Sequence, residues 1–148
     1  MDNLRLLVCG SRDFTNKAKI EEVLRSFPEE AIELLIHGNA RGADKIAALI
    51  GMNLWGDDRV KAFPADWNTY GRTAGFARNK QMLVEGKPNL ILAFFSNVKG
   101  SRGTADMVYQ ALGWESVRSI WCWDEAVQQQ FYAAKHCQYP TCVEDLTE

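Results

Sequence analysis

What most constrains the fold of this chain is a repeated pair of patterns: a short run that is apolar almost throughout, then a longer stretch apolar at every third or fourth position. The runs are LRLLVCG from Leu4, ELLIHG from Glu33, the weaker RVKAFPA from Arg59, NLILAFF from Asn89 and SVRSIWCW from Ser116. A strand apolar on both faces must be covered on both, and a helix after each strand carries the chain back so that the next strand runs parallel. The intervening stretches supply those helices. NKAKIEEVLRSF sets Ile20, Val23, Leu24 and Phe27 on one face and halts at Pro28. Ala43, Ala47, Ile50 and Leu54 recur at helical spacing, AGFARNKQMLVEG ends at Gly86, and Met107, Val108 and Ala111 mark a fourth helix. A last helix is expected after Asp124, aligning Val127, Phe131 and Ala134.

The expected fold class is therefore α/β: a Rossmann-like three-layer sandwich with a mostly parallel five-stranded sheet. With 148 residues, about half of them apolar, one sizeable core is expected. Residues 1–136 read as a single domain and residues 137–148 as a loosely ordered tail. A formal net charge of -2 provides no global field that would draw the chain to nucleic acid or to an anionic membrane. The absence of a long apolar run or a signal-like start makes a cytoplasmic location the expectation. Cys9 and Cys122 fall in strand-like runs, as buried thiols do, and His136, Cys137 and Cys142 lack a second ligand pair, so no metal and no cofactor are expected.

In an open parallel sheet, ligands bind beyond the carboxyl ends of the strands. The loops at those ends are GSRDF, HGNARGAD, ADWNTYGRTAGFARN and SNVKGSRGTAD, and each contains an arginine: Arg12, Arg41, Arg72 with Arg78, and Arg102. Guanidinium forks and free N–H groups at helix N-termini suit phosphate or carboxylate. The plain alternative is that these arginines are solvated or pair with Asp13, Asp44, Asp66 and Asp106 of the same loops. Gly10, Gly38, Gly42, Gly100 and Gly103 equally well serve tight turns, and neither the dinucleotide fingerprint nor the P-loop pattern is present. Thr104, directly after Gly103 at a helix head, adds a hydroxyl to several N–H groups, as a phosphate seat requires. Trp67 and Tyr70 could stack on a nucleobase or pack in the core. His37, at a strand end, suits a hydrogen-bonded structural group better than acid–base work.

Taken together, GSRDF, HGNARGAD, FPADWNTYGRTAGFARNKQM and KGSRGTADMVYQA resemble, in order and spacing, the YspA-like, cpYpsA-related branch of the SLOG superfamily, from about Val8 to Ala111. These Rossmann-like domains are related to the LOG phosphoribohydrolases and to DprA. The resemblance implies a pocket for a nucleotide-derived ligand, and members are associated with nucleotide signalling in bacterial and phage conflict. Gly10, Ser11 and Arg12 would line one wall, Gly38, Arg41, Gly42 and Asp44 would lie beside them, Arg78 and Asn79 would come from the third helix, and Gly100, Ser101, Gly103 and Thr104 would hold the phosphate.

One departure bears on activity. The LOG pattern P-G-G-x-G-T-x-x-E puts its proline at Lys99, its second glycine at Ser101 and its glutamate at Met107, a thioether that can neither take nor give a proton. Arg78 matches the LOG arginine. Asp106 lies one residue earlier than the missing acid and about 100° around the helix. Asp13, Asp44 and Asp106 remain the candidate acids. The expected function is thus to sense or sequester a nucleotide-derived ligand, such as an ADP-ribose-type or cyclic nucleotide. An N-glycosidic hydrolase acting on nucleoside monophosphates or NAD-like nucleotides is the first alternative, and single-stranded DNA binding a less favoured second. A homo-oligomer is also expected.

Overall fold

A computed structural model describes residues 3–133; the expected domain boundary after residue 136, Ala134 and the trio His136, Cys137 and Cys142 lie outside the described residues. Five parallel strands form as the apolar runs require: β1 (Leu4–Gly10), β2 (Ile32–His37), β3 (Val60–Ala62), β4 (Leu90–Phe95) and β5 (Ser119–Asp124). The sheet has a sixth strand, β6 (Gln129–Tyr132), antiparallel to β5, and the order is β3-β2-β1-β4-β5-β6.

That sixth strand replaces the expected last helix. Asp124 Oδ1 accepts the amide of Ala126 at 3.1 Å, and Gln128 takes a left-handed φ of 52°, which turns the chain back on β5. The helical spacing of Val127 and Phe131 was thus coincidental. Once the chain has turned, β6 covers the otherwise unpaired edge of β5, aligning Trp121 with Tyr132 and Cys122 with Phe131.

The helices are α1 (Lys17–Arg25), α2 (Ala43–Trp55), α3 (Trp67–Tyr70), α4 (Ala74–Gln81) and α5 (Arg102–Leu112). The short α3, which hydrophobic spacing does not reveal, is held by Asp66, whose carboxylate accepts the Thr69 amide at 3.1 Å and its hydroxyl at 2.7 Å. The expected third helix does run to Gly86, but its final turn, Met82–Gly86, is a π-turn. A Cβ on Gly86 would stand 2.8 Å from Ile36 Cδ1, so the backbone lies directly on β2 there.

Strand alternation divides the core into the expected layers. Leu4, Leu6 and Val8 of β1 face α1 and α2 with Ile20, Leu24, Ala47 and Ile50; Leu7 and Cys9 face the opposite layer with Met82, Leu83, Met107 and Ala111. From β1 the chain winds outward through β2 to β3, then crosses back to β4 on the other side of β1. The winding direction reverses between β1 and β4, and a ligand crevice is expected at their carboxyl ends. Among the described residues no helix is long and apolar enough to cross a membrane.

Candidate functional site

A cleft of about 480 Å³ opens at the β1/β4 switch point. Its walls come from the end of β1 (Gly10, Ser11, Arg12 and Asp13), the head of α2 (Arg41 and Asp44), α4 (Arg78 and Asn79) and the head of α5 (Gly100, Ser101, Gly103 and Thr104). A second lobe of about 580 Å³ adjoins it, lined by Gly38, Pro64 and Trp67, and shares Arg12, Ala40, Arg41 and Arg78 with the first. Most of the expected site residues therefore converge. Gly42, Tyr70, Asp106 and Met107 line neither lobe.

Each of those four has a physical reason. Gly42 combines φ 82° with ψ -131°, and a Cβ there would stand 2.3 Å from the Ser11 carbonyl oxygen, so it shapes the turn beneath the cleft. Tyr70 points to solvent from α3. Asp106 is turned toward its own helix and α4, accepting from Asn79 Nδ2 at 3.1 Å and from Gln110 Nε2 at 2.7 Å. Met107 is fully buried between α5 and the sheet, packed in the layer that includes Cys9, Met82 and Ala111. The position corresponding to the LOG glutamate thus belongs to the core here.

None of the loop acids forms an ion pair with a cleft arginine among the described residues. Asp66 caps α3, Asp106 serves Asn79 and Gln110, and Asp44 accepts the Gly38 amide at 2.8 Å. Among the described residues, Arg12, Arg41, Arg78 and Arg102 form no ion pair, whereas Arg5 pairs with Glu33 and Arg25 with Glu21. Arg78 donates from Nη1 to the Gly38 carbonyl and from Nε to Asn79 Oδ1 at 3.2 Å. Burial, opposed by Asp44 and reinforced by the like charge of Arg12, lowers the Arg78 pKa. The like charges of Arg12 and Arg78 disfavour each other across the open cleft, and an anion placed between them would relieve that repulsion.

The head of α5 completes the first lobe. Ser101 gives its helix no side-chain cap; its hydroxyl instead donates to the Asn97 carbonyl at 3.0 Å and meets the Ser11 hydroxyl. No acidic side chain occupies the first turn. A Cβ on Gly100 or Gly103 would touch nothing within 4 Å, and neither glycine has a positive φ. Nothing in the protein's own packing demands glycine at these two positions, so the open backbone is available to a ligand. Asn79 ties α4 to this turn by donating to the Gly103 carbonyl at 3.1 Å.

Asp44 is the one buried carboxylate of the cleft, its pKa raised to about 6 by burial against the lowering pull of the Gly38 amide and Arg78. His37, which precedes Gly38 at the end of β2, lines neither lobe; its Nδ1 accepts the Asn39 amide at 3.0 Å, and burial aided by Arg78 lowers its pKa to about 4. It is the structural histidine that its place at a strand end suggested. Cys9, Ala40, Gly75, Met82 and Arg102 also line the first lobe. Of these only Arg102 had a sequence signal, as one of the loop arginines; the small and apolar residues are recruited by folding alone.

Residues 4–70 match the model of a protein family described as YAcAr, the YspA, cpYpsA-related SLOG family. Over this span the likeness read from the loops holds, and it covers β1 through α3, including the Gly10–Asp13 and Gly38–Asp44 walls. Searches of curated proteins and of solved structures found no match.

Proposed function

We propose that this chain binds a nucleotide or nucleotide-derived ligand by its phosphate and holds it without turning it over, as a sensor or sequestering protein would. The observation that carries this reading is the set of four arginines around one cleft with no ion pair among the described residues, while Asp44, Asp66 and Asp106 of the same loops accept hydrogen bonds from other groups. The bare turn at Gly100–Thr104 supplies amide donors and a hydroxyl for the phosphate. The match to a SLOG family model supports the same ligand class. With Met107 in the core and Asp106 facing its own helix, α5 offers the cleft no acid. Denaturing the purified protein and identifying any released small molecule by mass spectrometry tests the reading directly. If nothing is released, a thermal-shift panel of nucleotides follows, and no shift with any of them overturns it.

A second reading, cleavage of an N-glycosidic bond, is favoured by one residue. Asp44 is buried in the cleft and titrates near neutrality, as a general acid must. Incubation with nucleoside monophosphates and NAD-like compounds separates the two readings. Release of free base that disappears in Asp44→Asn would establish the hydrolase. We further propose that the chain self-associates, using apolar side chains left exposed such as Phe76 and Tyr109. A monomer by light scattering at micromolar concentration would refute this.

A further inference from the structure

The two lobes of the cleft meet at a row of charge. Arg12, Arg41 and Arg78 line both lobes, so they stand at the junction. On one side lies the bare head of α5; on the other Trp67, about half exposed, offers a ring face with the Arg12 guanidinium carbon 5.9 Å from its centroid. A ligand with one phosphate at Thr104 and a base at Trp67 would bring an uncharged ribose to this junction. Three guanidinium groups, those of Arg12 and Arg41 exposed and that of Arg78 half-buried, would then face no anion, and the charge-assisted bonds they can make would go unused. A second phosphate removes that mismatch, since each guanidinium can fork onto its oxygens.

We propose that the cleft is built for a nucleoside diphosphate or a diphosphate-linked nucleotide, its phosphate chain laid across Arg12, Arg41 and Arg78 and its base stacked on Trp67. This rests on the nucleotide-binding reading above and narrows it, because it excludes a nucleoside monophosphate as the preferred ligand. Trp67 then becomes the residue that reads the base, and Arg12, which reaches both the ring and the phosphate chain, couples the two lobes.

The test is calorimetric titration of the full chain with AMP, ADP and inorganic pyrophosphate. ADP should bind about tenfold more tightly than AMP, the gain of one further charge-assisted contact. Arg12→Gln should bring the two nucleotides to within about twofold of each other. Trp67→Ala should weaken ADP about fivefold and leave pyrophosphate unchanged, whereas Trp67→Phe, which keeps a flat ring, should retain most ADP affinity. Both side chains are exposed, so their replacement leaves the core intact. Equal binding of AMP and ADP, or a Trp67→Ala loss that is the same for ADP and pyrophosphate, overturns the proposal while nucleotide binding stands. If none of the three compounds binds, the diphosphate proposal falls, and the broader nucleotide reading stands or falls on the thermal-shift panel.

Discussion

Gly42 and Gly103 are the same residue type put to opposite uses, one demanded by the fold and the other left free by it. At Gly42 a side chain would strike the Ser11 carbonyl and the backbone lies in a region that L-residues avoid. Gly42→Ala should destabilise the protein by on the order of 2–4 kcal/mol, read as a lowered midpoint in urea. Gly103 sits in the first turn of α5 with open space around its missing Cβ. Gly103→Ala should leave the midpoint unchanged or raise it by up to about 1 kcal/mol, since alanine is the better helix former. On the proposed binding mode it should nevertheless weaken binding of a phosphate-bearing ligand by about tenfold, because the added methyl group would stand in the open space by which the anion approaches. In the sequence both positions read as loop glycines, and the family resemblance assigned both alike to the pocket. The distinction comes from what surrounds each one in space.

At the scale of the element, α5 keeps part of the LOG pattern but buries the position of its glutamate. Spacing alone pairs Met107 with Ala111 on a buried face, and the structure places both there, fully enclosed. Met107→Glu would therefore bury an unpaired carboxylate rather than equip a site. We expect it to cost on the order of 4 kcal/mol and to yield poorly folded protein without glycosidase activity, as circular dichroism and a base-release assay would show. The head of α5 is fixed instead by α4, through the bonds of Asn79 to Gly103 and Asp106. Asn79→Ala should lower stability by about 1–2 kcal/mol and weaken ligand binding at the same time, measured by denaturation and titration on one sample. Asn79 was picked out in the sequence as a pocket residue, but its part as a bracket between helices depends on which helices are neighbours. The mistaken last helix belongs to the same scale, since a four-residue spacing such as Val127 to Phe131 is silent about a turn that folds the chain back.

For the molecule as a whole, two buried titratable groups lean in opposite directions. Asp44 has its pKa raised from 3.8 to about 6, so the stability it contributes is fully present below pH 3.8 and is lost as the pH rises through 6. His37 has its pKa lowered from 6.5 to about 4, so its contribution is present above pH 6.5 and is lost as the pH falls through 4. Each amounts to on the order of 3 kcal/mol, and across pH 4–6 they largely cancel. Relative to wild type, Asp44→Asn should lose Tm steadily on acidification from pH 6.5 to 4, while His37→Asn, which keeps an acceptor for the Asn39 amide, should gain Tm over the same range. Differential scanning calorimetry at several pH values reads both.

The sequence by itself determined the parallel strands, the helices that cover both faces of the sheet and the edge to which the arginine loops are delivered, because hydrophobic periodicity is a local property and the carboxyl ends of parallel strands fall on one edge. Only the tertiary structure decided that Arg12, Arg41, Arg78 and Arg102 form no ion pair among the described residues, that Asp44 is the buried acid of the cleft, that Met107 lies in the core and that the described residues finish with a strand beside β5. Those outcomes depend on which groups come within bonding distance across the fold, and on how much water is left around them.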